Sequence, residues 1–109
     1  MIEYADFEKV DIRTGTILEV KDFPNARKPA YRLTIDFGPL GIKQSSAQIT
    51  TIYKMEELVG RQVLAIVNFP PKQIANFFSE CLVLGATDEN GNVILLSTDI
   101  KVENGNPVK

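Results

Sequence analysis

Apolar and polar residues alternate most cleanly between Tyr31 and Phe37. Tyr31, Leu33, Ile35 and Phe37 point one way, and Arg32, Thr34 and Asp36 point the other. This is the pattern of a strand with one buried face. Arg13 to Phe23 reads as a strand before it, with Thr16, Leu18 and Val20 on one side and Ile17, Glu19 and Lys21 on the other. Gly15 in that strand suggests a bend or bulge. Ile42 to Ile49 reads as a third, much more polar strand, rich in Lys43, Gln44, Ser45, Ser46 and Gln48. Its hydroxyls and amides can bond to a ligand or to water. Arg61 to Phe69 is apolar enough for a central strand, and Cys81 to Ala86 reads as the fifth strand. Val93 to Ser97 returns as a sixth strand after Asp88-Glu89-Asn90-Gly91-Asn92, whose Asn-Gly pair is a strong hairpin signal.

Two helical segments interrupt the strands. Asp6 to Val10 reads as a short turn capped by Asp6, with Phe7 and Val10 on one face. Ile52 to Val59 follows the capping residues Thr50 and Thr51 and places Ile52, Met55, Leu58 and Val59 on one side. Gly60 stands at the expected end. The tail from Thr98 to Lys109 predicts irregular structure that wraps the domain.

The predicted architecture is all-β. It is a five-stranded Greek-key barrel of the OB type, with a helix between strands 3 and 4, a short N-terminal helical turn and an extra C-terminal hairpin. Residues 1–109 form one domain. In such barrels ligands lie on strands 2 and 3, between the loops that follow strands 1 and 4. Here those loops are Asp22 to Pro29, with Arg27 and Lys28, and Pro70 to Glu80. The wider stretch from Asn68 to Ser79 carries Phe69, Lys72, Phe77 and Phe78. An aromatic loop on a rigid scaffold suggests a binding surface, although each ring could equally plug the end of the core. The apolar hairpin from Val83 to Leu96 predicts a cover, by a partner in a homodimer or by the chain's own tail.

Composition narrows the chemistry. The chain has no histidine and one cysteine, Cys81, so it lacks the commonest general base and metal ligand. No phosphate loop or nucleophile elbow is present, and Glu56-Glu57 reads as a solvated helix face. These features point away from an enzyme, and no metal or cofactor is implied. A net charge of −2 and a pI near 5.1 argue against a surface built to neutralise many phosphates, but not against a local basic patch. The N-terminus lacks a signal-peptide pattern, and no apolar run nears the ~20 residues a helix needs to span a bilayer. With no disulfide possible, a cytoplasmic location is expected.

Asp6-Phe7-x-Lys9-Val10-Asp11-Ile12-Arg13-x-Gly15-x-Ile17 resembles the opening of tRNA-binding OB domains. The likeness continues through Asp36-Phe37-Gly38, Leu58-Val59-Gly60-Arg61 and Asn68-Phe69-Pro70-Pro71-Lys72. Asn68 to Ile74 and Phe77-x-Ser79-Glu80-x-Leu82 look most like the free-standing, export-related chaperones of that family. The resemblance implies a homodimer that binds unfolded or precursor proteins and assists delivery to the Sec export machinery. It also implies that tRNA-binding relatives use the same face. Gln73, Ala75, Phe77 and Glu80 stand in a loop that is more basic in those relatives, which weakens the tRNA expectation. For a polypeptide, the expected groove has Arg32, Thr34, Gln44 and Ser46 as its floor, Phe69, Phe77 and Phe78 as its wall, and Lys28 and Lys72 at its rim, with Asn68 and Ser79 among the expected binding residues. For tRNA, Arg27, Lys28, Arg32, Lys43 and Lys72 would track phosphates, with Phe77 stacking on a base.

Overall fold

A computed structural model describes residues 1–109. The elements are α1 (Tyr4–Glu8), β1 (Ile12–Asp22), β2 (Tyr31–Asp36), β3 (Ile42–Ala47), α2 (Met55–Leu58), β4 (Gln62–Ile66), β5 (Lys72–Ile74), β6 (Phe77–Ser79), β7 (Leu82–Val83), β8 (Gly85–Thr87) and β9 (Val93–Leu95). A five-stranded antiparallel sheet has the order β3-β2-β1-β4-β7 and curls into a nearly closed barrel of the OB type. β5 with β6, and β8 with β9, form two separate hairpins.

The barrel encloses Ile17, Leu33, Ile35, Phe37, Leu58, Val63 and Ala65, none of which is exposed. Leu33, Ile35 and Phe37 point inward as the alternation predicts. β1 departs from strict alternation. Its register against β2 shifts between Ile17 and Glu19, so Leu18 is the extra residue of a bulge. The bulge turns Ile17 and Val20 toward the core and leaves Leu18 outside. Gly15 is therefore not the bulge. A Cβ there would lie 2.7 Å from Ile35 and 2.8 Å from the Phe37 ring, so glycine makes room for the core.

The helices are shorter than periodicity suggests. Glu3, not Asp6, caps α1, and Asp6 sits one turn in, where its carboxylate accepts the Glu3 N–H at 2.9 Å. α2 begins only at Met55, after Lys54. Of the predicted apolar stripe only Leu58 is buried, whereas Ile52, Met55 and Val59 are exposed. Tyr53 points inward instead. Its hydroxyl accepts the Leu95 N–H at 3.1 Å, and its carbonyl accepts the Tyr31 hydroxyl at 2.8 Å. That stitching holds the β8–β9 hairpin against the barrel and keeps Ile52 to Lys54 out of the helix.

The predicted fifth strand divides into β7 and β8. Cβ space at Gly85, beside the break, is taken by Val93 Cγ1 and the Ile94 carbonyl. The tail lies along the first half of β1, with an isolated bridge from Arg13 to Pro107. It is held by Thr14, which bonds to Glu103 and Asn106, and by the buried Gln62 amide, which bonds to Val102 at both ends. The tail thus covers the β1 edge rather than the apolar hairpin.

Candidate binding cleft

β3 leaves the barrel almost closed, and side chains complete the seam. The Gln44 N–H donates to Glu80 Oε1 at 3.0 Å, while the Glu80 N–H donates to the Gln44 carbonyl at 2.8 Å. The Ser45 hydroxyl, fully buried, donates to the Cys81 carbonyl at 3.1 Å. Ser79 Oγ accepts the Ser46 N–H at 3.3 Å and donates to the Cys81 carbonyl at 3.2 Å. The seam accounts for part of the polar character of β3, since the Ser45 hydroxyl and the Gln44 side-chain amide both donate to carbonyls across it. Burial pushes the Cys81 thiol up to about 11, against the Ser45 hydrogen bond, so the thiolate is disfavoured at neutral pH.

The predicted aromatic loop is in fact the β5–β6 hairpin, closed by Ala75 and Asn76. Adjacent strand residues face opposite ways, and this separates Phe77 from Phe78. Phe77 is buried, packing edge-on against Phe23 at 5.3 Å between centroids, with Ala30 and Ile74 around it. Phe77 is therefore a plug: it pins the hairpin to the loop after β1 and offers no ring to a ligand. Phe78 is half-exposed but does not line the cleft beside it.

That cleft runs between the loop after β1, the end of β3, the hairpin and β7 and β9. It has two joined halves, each about 670 Å³. One half is bounded by Arg27 and Lys28 from the loop and by Gln73 and Ala75 from the hairpin. The other is bounded by Ile49, Phe69, Leu82, Val83, Val93 and Leu95, with Ser79 and Glu80 on its border. Ser46, Gln48, Lys72 and Ile74 line both halves. Arg27, Lys28 and Lys72 form no ion pair, and the three pairs of the molecule lie elsewhere: Lys9 with Asp6, Arg13 with Asp11, and Lys21 with Glu19. The cleft is thus cationic at one end and apolar at the other.

Of the residues singled out from sequence, the fold brings Arg27, Lys28, Ser46, Phe69, Lys72 and Ser79 to this cleft. Others are occupied elsewhere. Arg32 Nε donates to the Asp22 carbonyl at 2.9 Å, and its guanidinium lies 5.6 Å above the Phe23 ring. Gln44 Nε2 donates to the Phe78 carbonyl at 3.0 Å, which steadies the hairpin. Asn68 ties the loop after β4 to the end of α1, accepting from the Asp11 N–H and donating to the Lys9 carbonyl. Thr34 pairs with Gln44 on the outer sheet face, away from the cleft lining. Lys43 pairs with Ile35 and lies on the opposite sheet face from Thr34 and Gln44. Sequence reasoning named Gln48 only among the polar residues of the third strand, without assigning it to the groove, and missed the apolar wall of Leu82, Val83, Val93 and Leu95. The apolarity of the last four was visible, and Val83, Val93 and Leu95 do pack against the core on one side; only the fold shows that they also border open space.

The architecture is that of a small OB barrel with a two-ended cleft on one side. A family model described as "Putative tRNA binding domain" matches residues 12–107, and the chain belongs to that family. The chain is 41% identical over 108 residues to a methionine–tRNA ligase of Bdellovibrio bacteriovorus and 35% identical to that of Methanocaldococcus jannaschii. It spans 99% of itself but 16% of the length of either ligase. Among solved structures, it matches the chaperone CsaA of Bacillus anthracis with a TM-score of 0.95 and 50% identity, over 100% of this chain and 99% of that one. It matches the CsaA chaperone protein of Picrophilus torridus with a TM-score of 0.94 and 56% identity, over 100% of both chains.

Proposed function

We propose that this protein is an export-related molecular chaperone that holds unfolded or precursor polypeptides in the two-ended cleft. The observation that carries this is the open apolar half, where Phe69 and Leu82 are about half exposed and Val83, Val93 and Leu95, backed by the core, also border open space. An unfolded chain offers the apolar side chains that such a wall rewards, and a flexible client pays an ordering cost that keeps binding weak and reversible. Full-length likeness to two CsaA chaperones supports the same reading. In this proposal the protein works in the cytoplasm, passes clients toward the Sec export machinery and acts as a homodimer. Support for a dimer comes from the exposed Ile94 and Leu96 of the C-terminal hairpin, which the tail leaves uncovered.

A second reading, a tRNA-binding module, is favoured by the unpaired Arg27, Lys28 and Lys72 and by the family match. Titration against a reduced, carboxymethylated protein that cannot refold, and against bulk tRNA, separates the two. Three phosphate contacts predict roughly a 20- to 40-fold loss of tRNA affinity between about 50 and 200 mM salt. The chaperone reading expects polypeptide binding that changes little across that range and weakens when Phe69 is replaced by serine. Salt-sensitive tRNA capture without polypeptide binding would overturn it.

A further inference from the structure

The cleft runs along two strand edges that the fold leaves without strand partners. β3 pairs only with β2, and β5 pairs only with β6. On the β3 side, side chains of Glu80 and Ser79 occupy the Gln44 and Ser46 amides. One step further along, that cover ends: the Gln48 N–H and C=O form no hydrogen bond within the protein. Gln48 lies where the cationic and apolar halves meet, and Lys72 and Ile74 of β5 line the same two halves. An unpaired edge beside an apolar wall is the arrangement used for strand addition, in which main-chain bonds supply affinity and alternate side chains supply selectivity.

We infer that the ligand is an extended polypeptide that adds a strand along the outer edge of β3 at Gln48, past the Ser46 N–H, which is already taken, with a carboxylate toward Arg27 and Lys28 and within reach of Lys72 at the junction, and apolar side chains, two residues apart, against Leu82, Val83 and Val93. Charge complementarity selects this occupant, since the three cations have no acidic partner in the protein. A nucleic acid would satisfy the cations but brings neither a strand of amides for the edge nor aliphatic side chains for the wall. The inference rests on the polypeptide-binding reading above and specifies its mode.

The probe is a labelled nine-residue peptide, capped at both ends, with two aspartates first and leucine or valine at every second position after them. Single backbone N-methylation is scanned along it, and binding is followed by fluorescence anisotropy. Strand addition directs every second amide at the edge. Methylation at those positions is expected to weaken binding about tenfold, and methylation between them to change it less than about twofold. Exchange of the Gln48 amide with deuterium should slow on saturation. Replacing both aspartates with lysine should weaken binding about tenfold at low salt. A methylation scan without a two-residue period, or an unprotected Gln48 amide, would overturn strand addition while leaving polypeptide binding intact. Failure of the unmodified peptide and of the carboxymethylated protein alike would overturn both.

Discussion

The two adjacent phenylalanines of β6 make the strongest test of the structure. Phe77 is 8% exposed and packs edge-on against Phe23, whereas Phe78 is 50% exposed. Truncating a buried Phe to Ala costs about 3–5 kcal/mol through lost transfer energy and the cavity left behind. The Phe77 cluster is a small satellite at the barrel mouth, formed with Phe23 and Ala30 and flanked by Ala26 and Ile74, so partial collapse is possible. The lower end, about 3 kcal/mol, is therefore expected for Phe77→Ala. At about 4–8 °C per kcal/mol for a domain of this size, the melting temperature should fall by roughly 12–24 °C. Phe78→Ala removes a ring that is half in solvent and should stay within about 0.5 kcal/mol of the parent. Urea and thermal unfolding followed by circular dichroism measure both. Equal losses in the two variants, or no loss in Phe77→Ala, would refute the packing of the hairpin described here.

Three further outcomes follow from particular contacts. Cys81 keeps its proton up to about pH 11 when folded but releases it near 9 when unfolded. Its contribution to stability is therefore complete below about pH 9 and lost as pH rises toward 11, by up to about 3 kcal/mol. The stability difference between the parent and Cys81→Ala should shrink across that window in urea titrations, and a constant difference would contradict the burial of the thiol. Gly15→Ala should destabilise by about 2 kcal/mol, because its methyl group meets Ile35 and the Phe37 ring, both fully buried. A neutral result in the same titration would mean that the core gives way easily there. Ala75 has a φ of +54° in the β5–β6 turn. Left-handed backbone costs about 1–2 kcal/mol for a residue with a side chain, and glycine's extra unfolded freedom offsets about half of that. Ala75→Gly should raise the melting temperature by a few degrees in calorimetry; a fall would show that the turn is not strained.

Much of the barrel was legible because its signals are local. The alternation of Leu33, Ile35 and Phe37 reports a one-sided strand, and Asp88 to Asn92 carries its own turn chemistry: Asp88 Oδ1 accepts the Asn90 and Asn92 amides at 2.9 and 2.8 Å. The two loops that bound the cationic half were also visible, since Pro24 to Pro29 and Pro70-Pro71-Lys72 stand out by composition. The helix over 52–59 was overestimated for the opposite reason. Its apolar spacing was real, but the long-range bond from Leu95 to the Tyr53 hydroxyl outweighs local propensity.

What the chain determines by itself is therefore the order of strands, the family and the chemistry available at each loop. Tertiary structure alone decided that Leu18 bulges outward, that Phe77 is spent in packing while Phe69 faces the cleft, and that the tail covers β1 instead of the apolar hairpin. It also decided that Gln48 is left without a backbone partner where the two halves of the cleft meet. Period and propensity depend on neighbours a few residues away, whereas register, edge cover and the choice between adjacent side chains depend on residues tens of positions distant.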